Sequence, residues 1–385
     1  MNSQMVPLVL HTRVISGQGG GPEKTILNSP RFLEPLGYHG VCVYLRDPGD
    51  QKFDIIRKRA VEKRAKLVEV DDFGIKDIGV VKRMRVAVEQ IVQQGSFQSS
   101  PLIWHGHDYK SNLLGLLLKK HFPGMRLVTT VHGWVQKTWK TPLYYAIDKW
   151  CLARYEQVIC VSRDLFEDCQ KLGVESSRLT LIDNAIALDD YEFEMAQSEA
   201  KTRLGFAPET KLVIAVGRLS DEKGFDLLID AVAQLIKDGE NVALAIAGDG
   251  AFRNALQNQI DELGLSEVIK LLGFVADPRV VYRAGDVYVL SSYREGLPNV
   301  VLEAMAMKVP VISTRIAGMP DLISDGNNGM LIETGSADAI GQALRQLAQS
   351  PNQRDSLANA SRRTVEERFS FQSRMESIAK IYRQL

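Results

Sequence analysis

The chain predicts an α/β protein made of two doubly wound domains with parallel sheets. Three observations predict it. Short apolar runs alternate with helix-length segments along all 385 residues, and strands joined by helix-sized spacers form βαβ units, because parallel neighbours need a long crossover. The runs gather into two sets of about six. Between the sets lies a polar stretch with no strand pattern, Ala187 to Glu209, which includes Asp189-Asp190-Tyr191-Glu192-Phe193-Glu194. Residues 1–190 then form one domain and 206–370 the other. Doubly wound sheets bind ligands beyond the carboxyl ends of their strands, so two such domains place a site in the cleft between them.

The first set of runs predicts strands over Val6–His11, His39–Leu45, Leu102–His105, Arg126–His132, Gln157–Ser162 and Leu179–Ile182. The second predicts them over Lys211–Gly217, Val242–Gly248, Val268–Phe274, Asp286–Ser291, Pro310–Thr314 and Met330–Ile332. Each is short, rich in Val, Ile and Leu, and nearly continuous in its apolar character, as strands buried on both faces are.

Composition sets the class. Apolar residues at 45% and charged residues at 24% are ordinary for a soluble globular enzyme, and a net charge of zero gives no global attraction to nucleic acid. Four cysteines, Cys42, Cys151, Cys160 and Cys169, show no Cys-x-x-Cys spacing. Cys42 and Cys160 fall in strand-like runs, which reads as buried free thiols in a reducing cytoplasm. Val6 to Leu10 is too short an apolar run for a signal peptide, and no stretch reaches transmembrane length.

The loops after the strands carry the chemistry. Gly17-Gln18-Gly19-Gly20-Gly21-Pro22-Glu23 follows the first strand. It fails the Gly-x-Gly-x-x-Gly dinucleotide pattern at Pro22, yet Gly19, Gly20 and Gly21 still offer backbone N–H groups to a phosphate or sugar. The seventh run ends in Gly217 and delivers Arg218, then Lys223 five residues later. A guanidinium fork and an ammonium at one strand terminus suit a diphosphate. Ala247-Gly248-Asp249-Gly250 closes the next strand as a glycine turn, with Gly250 close to the nucleotide and Asp249 as a turn or cap residue.

The most specific segment is Glu295-Gly296-Leu297-Pro298-Asn299-Val300-Val301-Leu302-Glu303. It ends the apolar run Val287–Leu290 and opens an apolar helix expected over Val300 to Met307. Pro298 suits the first turn, where its missing N–H costs nothing, and the N–H groups around Gly296 to Asn299 can face an anion. Two acids beside an anion site suit a sugar nucleotide, whose hydroxyls need acceptors.

This segment resembles the E-x7-E signature of GT4-family retaining glycosyltransferases of the GT-B fold, in the wording Glu-Gly-Leu-Pro-Asn…Leu-Glu-Ala-Met-Ala, and the likeness covers nearly the whole chain. The resemblance implies a role for each matching position. The loop of Gly19, Gly20 and Gly21 approaches the donor phosphate. Arg218 and Lys223 bind and stabilise the departing diphosphate. Glu295 contacts the transferred sugar, and Glu303 holds the ribose hydroxyls. His132, in Thr130-Val131-His132-Gly133 at the end of a first-domain strand, touches the sugar near the reacting carbon. Phe274 and Val275, after Leu272-Gly273, lie where the base stacks. The resemblance also implies that the last helix, within 371–385, crosses back onto the first domain. Two segments depart from the family pattern. Asn184-Ala185-Ile186-Ala187 stands for Asn-Gly-Ile/Val-Asp, and Ala317-Gly318-Met319-Pro320-Asp321 for Gly-Gly-x-Pro-Glu.

The implied reaction moves a hexose-type sugar from a nucleotide-diphosphate sugar, UDP-sugar favoured, to a saccharide or lipid-linked saccharide of bacterial exopolysaccharide or envelope synthesis. The leaving anion is stabilised where it develops. No Asp-x-Asp motif and no His/Cys ligand spacing appears, so the expectation is a site without metal or other cofactor. An epimerase or nucleotide-sugar hydrolase on the same fold would keep the donor residues. A silent binding subunit would not need them all, and a nicotinamide dehydrogenase conflicts with the failed glycine pattern.

The acceptor side has one further signal. Trp134, Trp139 and Trp150 fall close together, interleaved with Lys137, Lys140, Lys149, Tyr144 and Tyr145. Trp and Tyr with flanking Lys favour a membrane–water interface. Arg57-Lys58-Arg59 with Lys63, Arg64 and Lys66 adds attraction to anionic lipid. The expected location is the cytoplasm, with peripheral contact to the inner face of the membrane. The competing reading makes Tyr144, Ile147 and Cys151 the buried stripe of a helix.

Overall fold

The computed structural model describes residues 6–15, 17, 19–74, 77–95, 97–133 and 141–385. They form two compact units, Met1–Asp183 with Phe371–Leu385, and Asn184–Ser370. The first holds strands β1 (Leu8–Ile15), β2 (His39–Arg46), β3 (Leu67–Asp71), β4 (Leu102–Gly106), β5 (Arg126–Val131), β6 (Gln157–Cys160) and β7 (Leu179–Leu181). The second holds β8 (Lys211–Val216), β9 (Val242–Ala247), β10 (Ile269–Gly273), β11 (Val287–Leu290), β12 (Val311–Thr314) and β13 (Met330–Ile332).

The sheet orders are β3-β2-β1-β4-β5-β6-β7 and β10-β9-β8-β11-β12-β13. Neighbouring strands run parallel throughout. Each sheet starts in its middle, winds outward to one side, then returns to wind the other way. That reversal puts the ends of β1 and β4, and of β8 and β11, at the switch points where doubly wound sheets bind ligands.

The continuous apolar runs are explained by burial on both faces. Along β2, Val41, Val43 and Leu45 face one core while Cys42 and Tyr44 face another. In β8, Leu212 and Ile214 alternate with Val213 and Ala215 in the same way. Each fully buried Val, Leu or Ile contributes about 1.5–3 kcal/mol. All four cysteines are free and buried.

All twelve expected strands form; β3 is additional. It sits at the sheet edge as Leu-Val-Glu-Val-Asp, with only Val70 buried, so its pattern lacks the apolar continuity of the others. The passage between units falls at Asp183/Asn184 rather than near 190. The reason lies in contacts made just after it: Ile186 N–H donates to Phe369 O at 2.9 Å, and Leu188 and Tyr191 pack on the second unit's core. The stretch after Ala187 therefore folds with the second unit.

The final helix, Phe371–Arg383, belongs to the first unit. Phe371 packs on Phe32 at 5.0 Å between ring centres, and Tyr382 on Tyr38 at 5.4 Å. Buried Arg374 donates to Ile182 O at 3.0 Å and to Asp183 O. Burial lowers its pKa to about 10. Among the described residues, no helix is long and apolar enough to cross a membrane.

Candidate functional site

In the second unit the expected residues stand on loops after β8, β9, β10 and β11. Gly217 follows β8, and its N–H donates to Ala247 O at 3.0 Å. Arg218 comes next and is exposed. A single 3-10 turn, Asp221–Lys223, then brings Lys223 back beside β11. Gly224 makes that return possible: its φ is +59°, and a Cβ there would lie 2.4 Å from Ser291 O. Ser291 Oγ also donates to Lys223 O at 2.8 Å.

Lys223 Nζ forms an ion pair with Glu295 Oε1, the side chains being 14% and 18% exposed. Ser292 Oγ donates to the same oxygen at 3.2 Å. The fold thus joins two residues separated by 72 positions, one expected at the phosphate and the other at the sugar.

Helix Asn299–Ala306 begins one residue after Pro298, which caps it with an extended backbone instead of entering its first turn. Leu297, just before, is buried, and its carbonyl accepts from Asn184 Nδ2 at 2.9 Å. Asn184 is one of the two residues, with Ile186, that the first departing motif keeps from the family pattern. Gly318, of the second, has φ +80°, and a Cβ there would lie 2.4 Å from Gly296 O, so only glycine lets that loop close on Gly296.

Glu303 is 1% exposed and accepts from Tyr282 OH at 2.9 Å. Burial and this carboxylate push the Tyr282 phenol well above its usual pKa, and burial with Glu303 does the same at Tyr191. The two acids of the signature therefore have different settings, Glu295 against a cation and Glu303 among tyrosines. Gly248 N–H ties the β9 turn to Gly273 O at 2.8 Å, and Gly250 N–H is bonded to Asp249 Oδ1 at 2.9 Å. Phe274 is 39% exposed beyond β10, whereas Val275 packs partly on the core.

In the first unit, His132 and Gly133 directly follow β5. The glycine-rich loop precedes helix Gly21–Leu33. Gly17 N–H is taken by Asp50 Oδ2 at 2.5 Å and Gly20 N–H by Glu23. Glu23 is itself paired with Arg13 at 2.5 Å. A phosphate reaching Gly20 must therefore displace a carboxylate that already carries a cation. Gly19 adopts φ +67°.

Sequence reading missed a group of histidines. Register pairs His11 of β1 with His105 of β4, and His107 follows directly. His105 is held by Tyr382 OH at 2.6 Å and Thr130 Oγ1 at 2.7 Å. His107 contacts His11 Nδ1 at 3.2 Å and His132 Nε2 at 3.0 Å. Burial pushes His105, His107 and His132 well below the usual imidazole range, and His11 to about 3.

Ligand atoms of His11, His105 and His107 lie within 4.8 Å of one another, close enough by distance to hold a metal ion. This corrects the expectation that no such cluster exists: strand pairing builds it from distant positions. The rings of His105 and His107 are stacked, 4.5 Å apart and 14° from parallel, so their in-plane lone pairs do not converge as tetrahedral ligation requires.

Residues 134–140 lie outside the described residues, and with them Trp134, Lys137, Trp139 and Lys140. In helix Thr141–Leu152, Cys151 is fully buried and Ile147 packs against the core. Trp150 is 50% exposed, with the Arg154 guanidinium 3.9 Å over its ring. In the second basic group Arg57 is engaged by Glu69 at 2.6 Å and by Asp54, which reduces the charge it presents.

Paired seven- and six-stranded parallel sheets, with these loops at the strand ends, are the architecture of the GT-B glycosyltransferases. Known proteins agree. The family described as Glycosyltransferase Family 4 matches residues 19–190, and that described as Glycosyl transferases group 1 matches residues 196–364. The D-inositol 3-phosphate glycosyltransferase of Corynebacterium aurimucosum is 30% identical over 375 residues, covering 90% of this chain and 86% of that protein. The lipopolysaccharide core biosynthesis glycosyltransferase LpsE of Rhizobium meliloti is 35% identical over 185 residues, 48% of this chain and 52% of that protein. Among solved structures, Anabaena HepE in complex with UDP and glucose superposes with a TM-score of 0.81 at 20% identity, covering 98% of this chain and all of that one (100%). The chain belongs to the GT4-type glycosyltransferases.

Proposed function

We propose that this glycosyltransferase moves a hexose-type sugar from a nucleotide-diphosphate sugar, UDP-sugar favoured, to a saccharide or lipid-linked saccharide, with retention and without a metal. The observation that carries the donor assignment is the Lys223–Glu295 ion pair, on the loop that also carries Arg218, with buried Glu303 about one turn into the helix that follows Glu295. Arg218 and Lys223 take the diphosphate, Glu295 the sugar, and Glu303 the ribose. Gly217, Gly250, Gly296, Leu297, Pro298 and Asn299 supply backbone around the nucleotide, and Phe274 and Val275 border the base. Gly19, Gly20 and Gly21 are assigned to the donor phosphate, and His132 to the sugar. That HepE holds UDP and that LpsE is named for lipopolysaccharide core synthesis support a UDP donor and an envelope saccharide.

The chemistry follows from charge. The bond between the anomeric carbon and the phosphate oxygen breaks, its electron pair passing to the diphosphate. The acceptor oxygen bonds that carbon on the same face, and its proton goes to the departing phosphate oxygen. Arg218 and Lys223 stabilise the anion as it forms. Glu295 orients and balances charge, without a covalent intermediate.

Incubation with labelled UDP-, GDP- and ADP-sugars, with and without lipid-linked acceptors and with EDTA, tests all of this. Transfer with retained configuration in EDTA is expected. Epimerised or hydrolysed donor alone, or strict Mg²⁺ dependence, overturns it. Contact with anionic membrane through the Trp134–Trp150 segment is part of the proposal, and sedimentation with anionic vesicles at low salt is its test.

A further inference from the structure

Three imidazoles of the first unit form an unbranched chain. His132 Nε2 lies 3.0 Å from His107 Nδ1, and His107 Nε2 lies 3.2 Å from His11 Nδ1. The chain starts at half-buried His132 and ends at His11, whose Nε2 is buried with no hydrogen-bond partner. His105 stands beside it but is not a link, since both its nitrogens go to Tyr382 and Thr130.

A neutral imidazole has one N–H and one lone pair. Burial keeps these rings neutral. His107 has both nitrogens committed, so one donates and the other accepts. A proton on its Nε2 is donated to His11 Nδ1, and His107 Nδ1 then takes the Nε2 proton of His132. All three rings are then Nε2–H tautomers. The reverse polarity makes all three Nδ1–H. Any mixture sets N–H against N–H or lone pair against lone pair at a buried contact.

We propose that His107 and His11 are positioning residues that lock His132 in one tautomer, so that its Nδ1 offers the sugar nucleotide a single character, donor or acceptor. This rests on the assignment of His132 to the transferred sugar. Arg13 supports the geometry from outside the chain: its Nη1 donates to His107 O at 3.1 Å, and Ser111 Oγ accepts the His107 N–H at 3.0 Å. The backbone under the central ring is thereby held on two sides.

The test is ring ¹⁵N NMR on the full chain labelled at its six histidines, which distinguishes protonated from unprotonated nitrogens. In the wild type His11, His107 and His132 should share one tautomer. In His107→Phe the His132 signals should move to a tautomer mixture, while His105 keeps its pattern and reports an intact fold. His107→Gln, which retains a donor and an acceptor, should return His132 to one form. Transfer should follow, with kcat falling about 10- to 100-fold in His107→Phe, the scale for losing an orienting partner, and largely recovering in His107→Gln at unchanged KM. Unlike tautomers among the three wild-type rings overturn the inference, and this measurement decides it even if His107→Phe does not fold. An unmoved His132 pattern in folded His107→Phe also overturns it. Should His132→Ala leave transfer intact, the sugar assignment falls, while the tautomer result still decides the coupling.

Discussion

Replacing Glu295 by Gln should tighten the binding of free UDP while slowing transfer. In the second unit Glu295 neutralises Lys223, and both side chains are largely withdrawn from water at 18% and 14% exposure. A diphosphate must compete with this carboxylate for the ammonium. Two charges about 4 Å apart attract by about 4 kcal/mol at an effective dielectric constant near 20. Desolvation offsets part of that, leaving a coupling of about 1–2 kcal/mol, within the range of contacting pairs in double-mutant cycles. At about 1.4 kcal/mol per tenfold, Glu295→Gln should bind UDP about 5- to 30-fold more tightly. Titration calorimetry on wild type, Glu295→Gln, Lys223→Met and the double variant measures this directly. Lys223→Met should bind more weakly, and the double variant should gain little over it, because the gain passes through Lys223. Unchanged or weaker UDP binding in Glu295→Gln would refute the competition, as would an equal gain in the absence of Lys223.

Arg218→Ala should lower kcat by about 10²–10³, the scale for losing one stabiliser of a developing anion; wild-type turnover would put the leaving-group site elsewhere. Tyr282→Phe removes the hydroxyl that donates to buried Glu303, and chemical denaturation should show a loss of about 1–3 kcal/mol. Glu303→Ala should weaken nucleotide binding more than it slows turnover of saturated enzyme, and a pure kcat effect would separate Glu303 from the ribose. Acid should destabilise the first unit before its carboxylates titrate. Buried His11, His105 and His107 have lowered folded pKa values, so below about 6.5 the unfolded chain takes up protons that the folded chain does not. Their contribution is complete above that pH and is lost as pH falls towards the folded values, at about 1.4 kcal/mol per pH unit for each histidine. Denaturant midpoints from pH 7.5 to 5.0 should fall accordingly, and a flat profile would mean that these rings are already charged in the fold.

Much of the fold was legible because strands buried on both faces leave continuous apolar runs. Val213 and Ala215 face one core and Leu212 and Ile214 the other, and no polar residue interrupts them. The edge strand β3 was hidden by the same logic: Glu69 lies within it and binds Arg46 and Arg57, so the run looks polar although it pairs along β2. The unit boundary was misplaced because composition reports polarity, not contact. Asp189 to Glu194 reads as linker, yet Tyr191 in its midst packs on the second core beside Glu303.

Site residues divided along a similar line. Candidates carried by one continuous segment, such as Glu295 and Glu303, could be singled out because strand, cap and helix set their spacing locally. Partnerships between segments could not. Nothing in the spacing of Lys223 and Glu295 says that they meet; Gly224, with its left-handed backbone against Ser291 O, is what folds one loop onto the other. The histidines show the limit most plainly. His11 and His105 are 94 positions apart, and each alone reads as an ordinary strand residue, but parallel pairing of β1 with β4 puts them side by side. The same pairing brings His107 against His11, and there chemistry constrains the rings further than packing does. An imidazole cannot donate from both nitrogens and stay neutral, so placing three in a row turns separate side chains into one unit whose tautomers are set together. On the proposed coupling, the tautomer of His132 is set at His107 and His11, on strands and loops whose own sequence carries no sign of it.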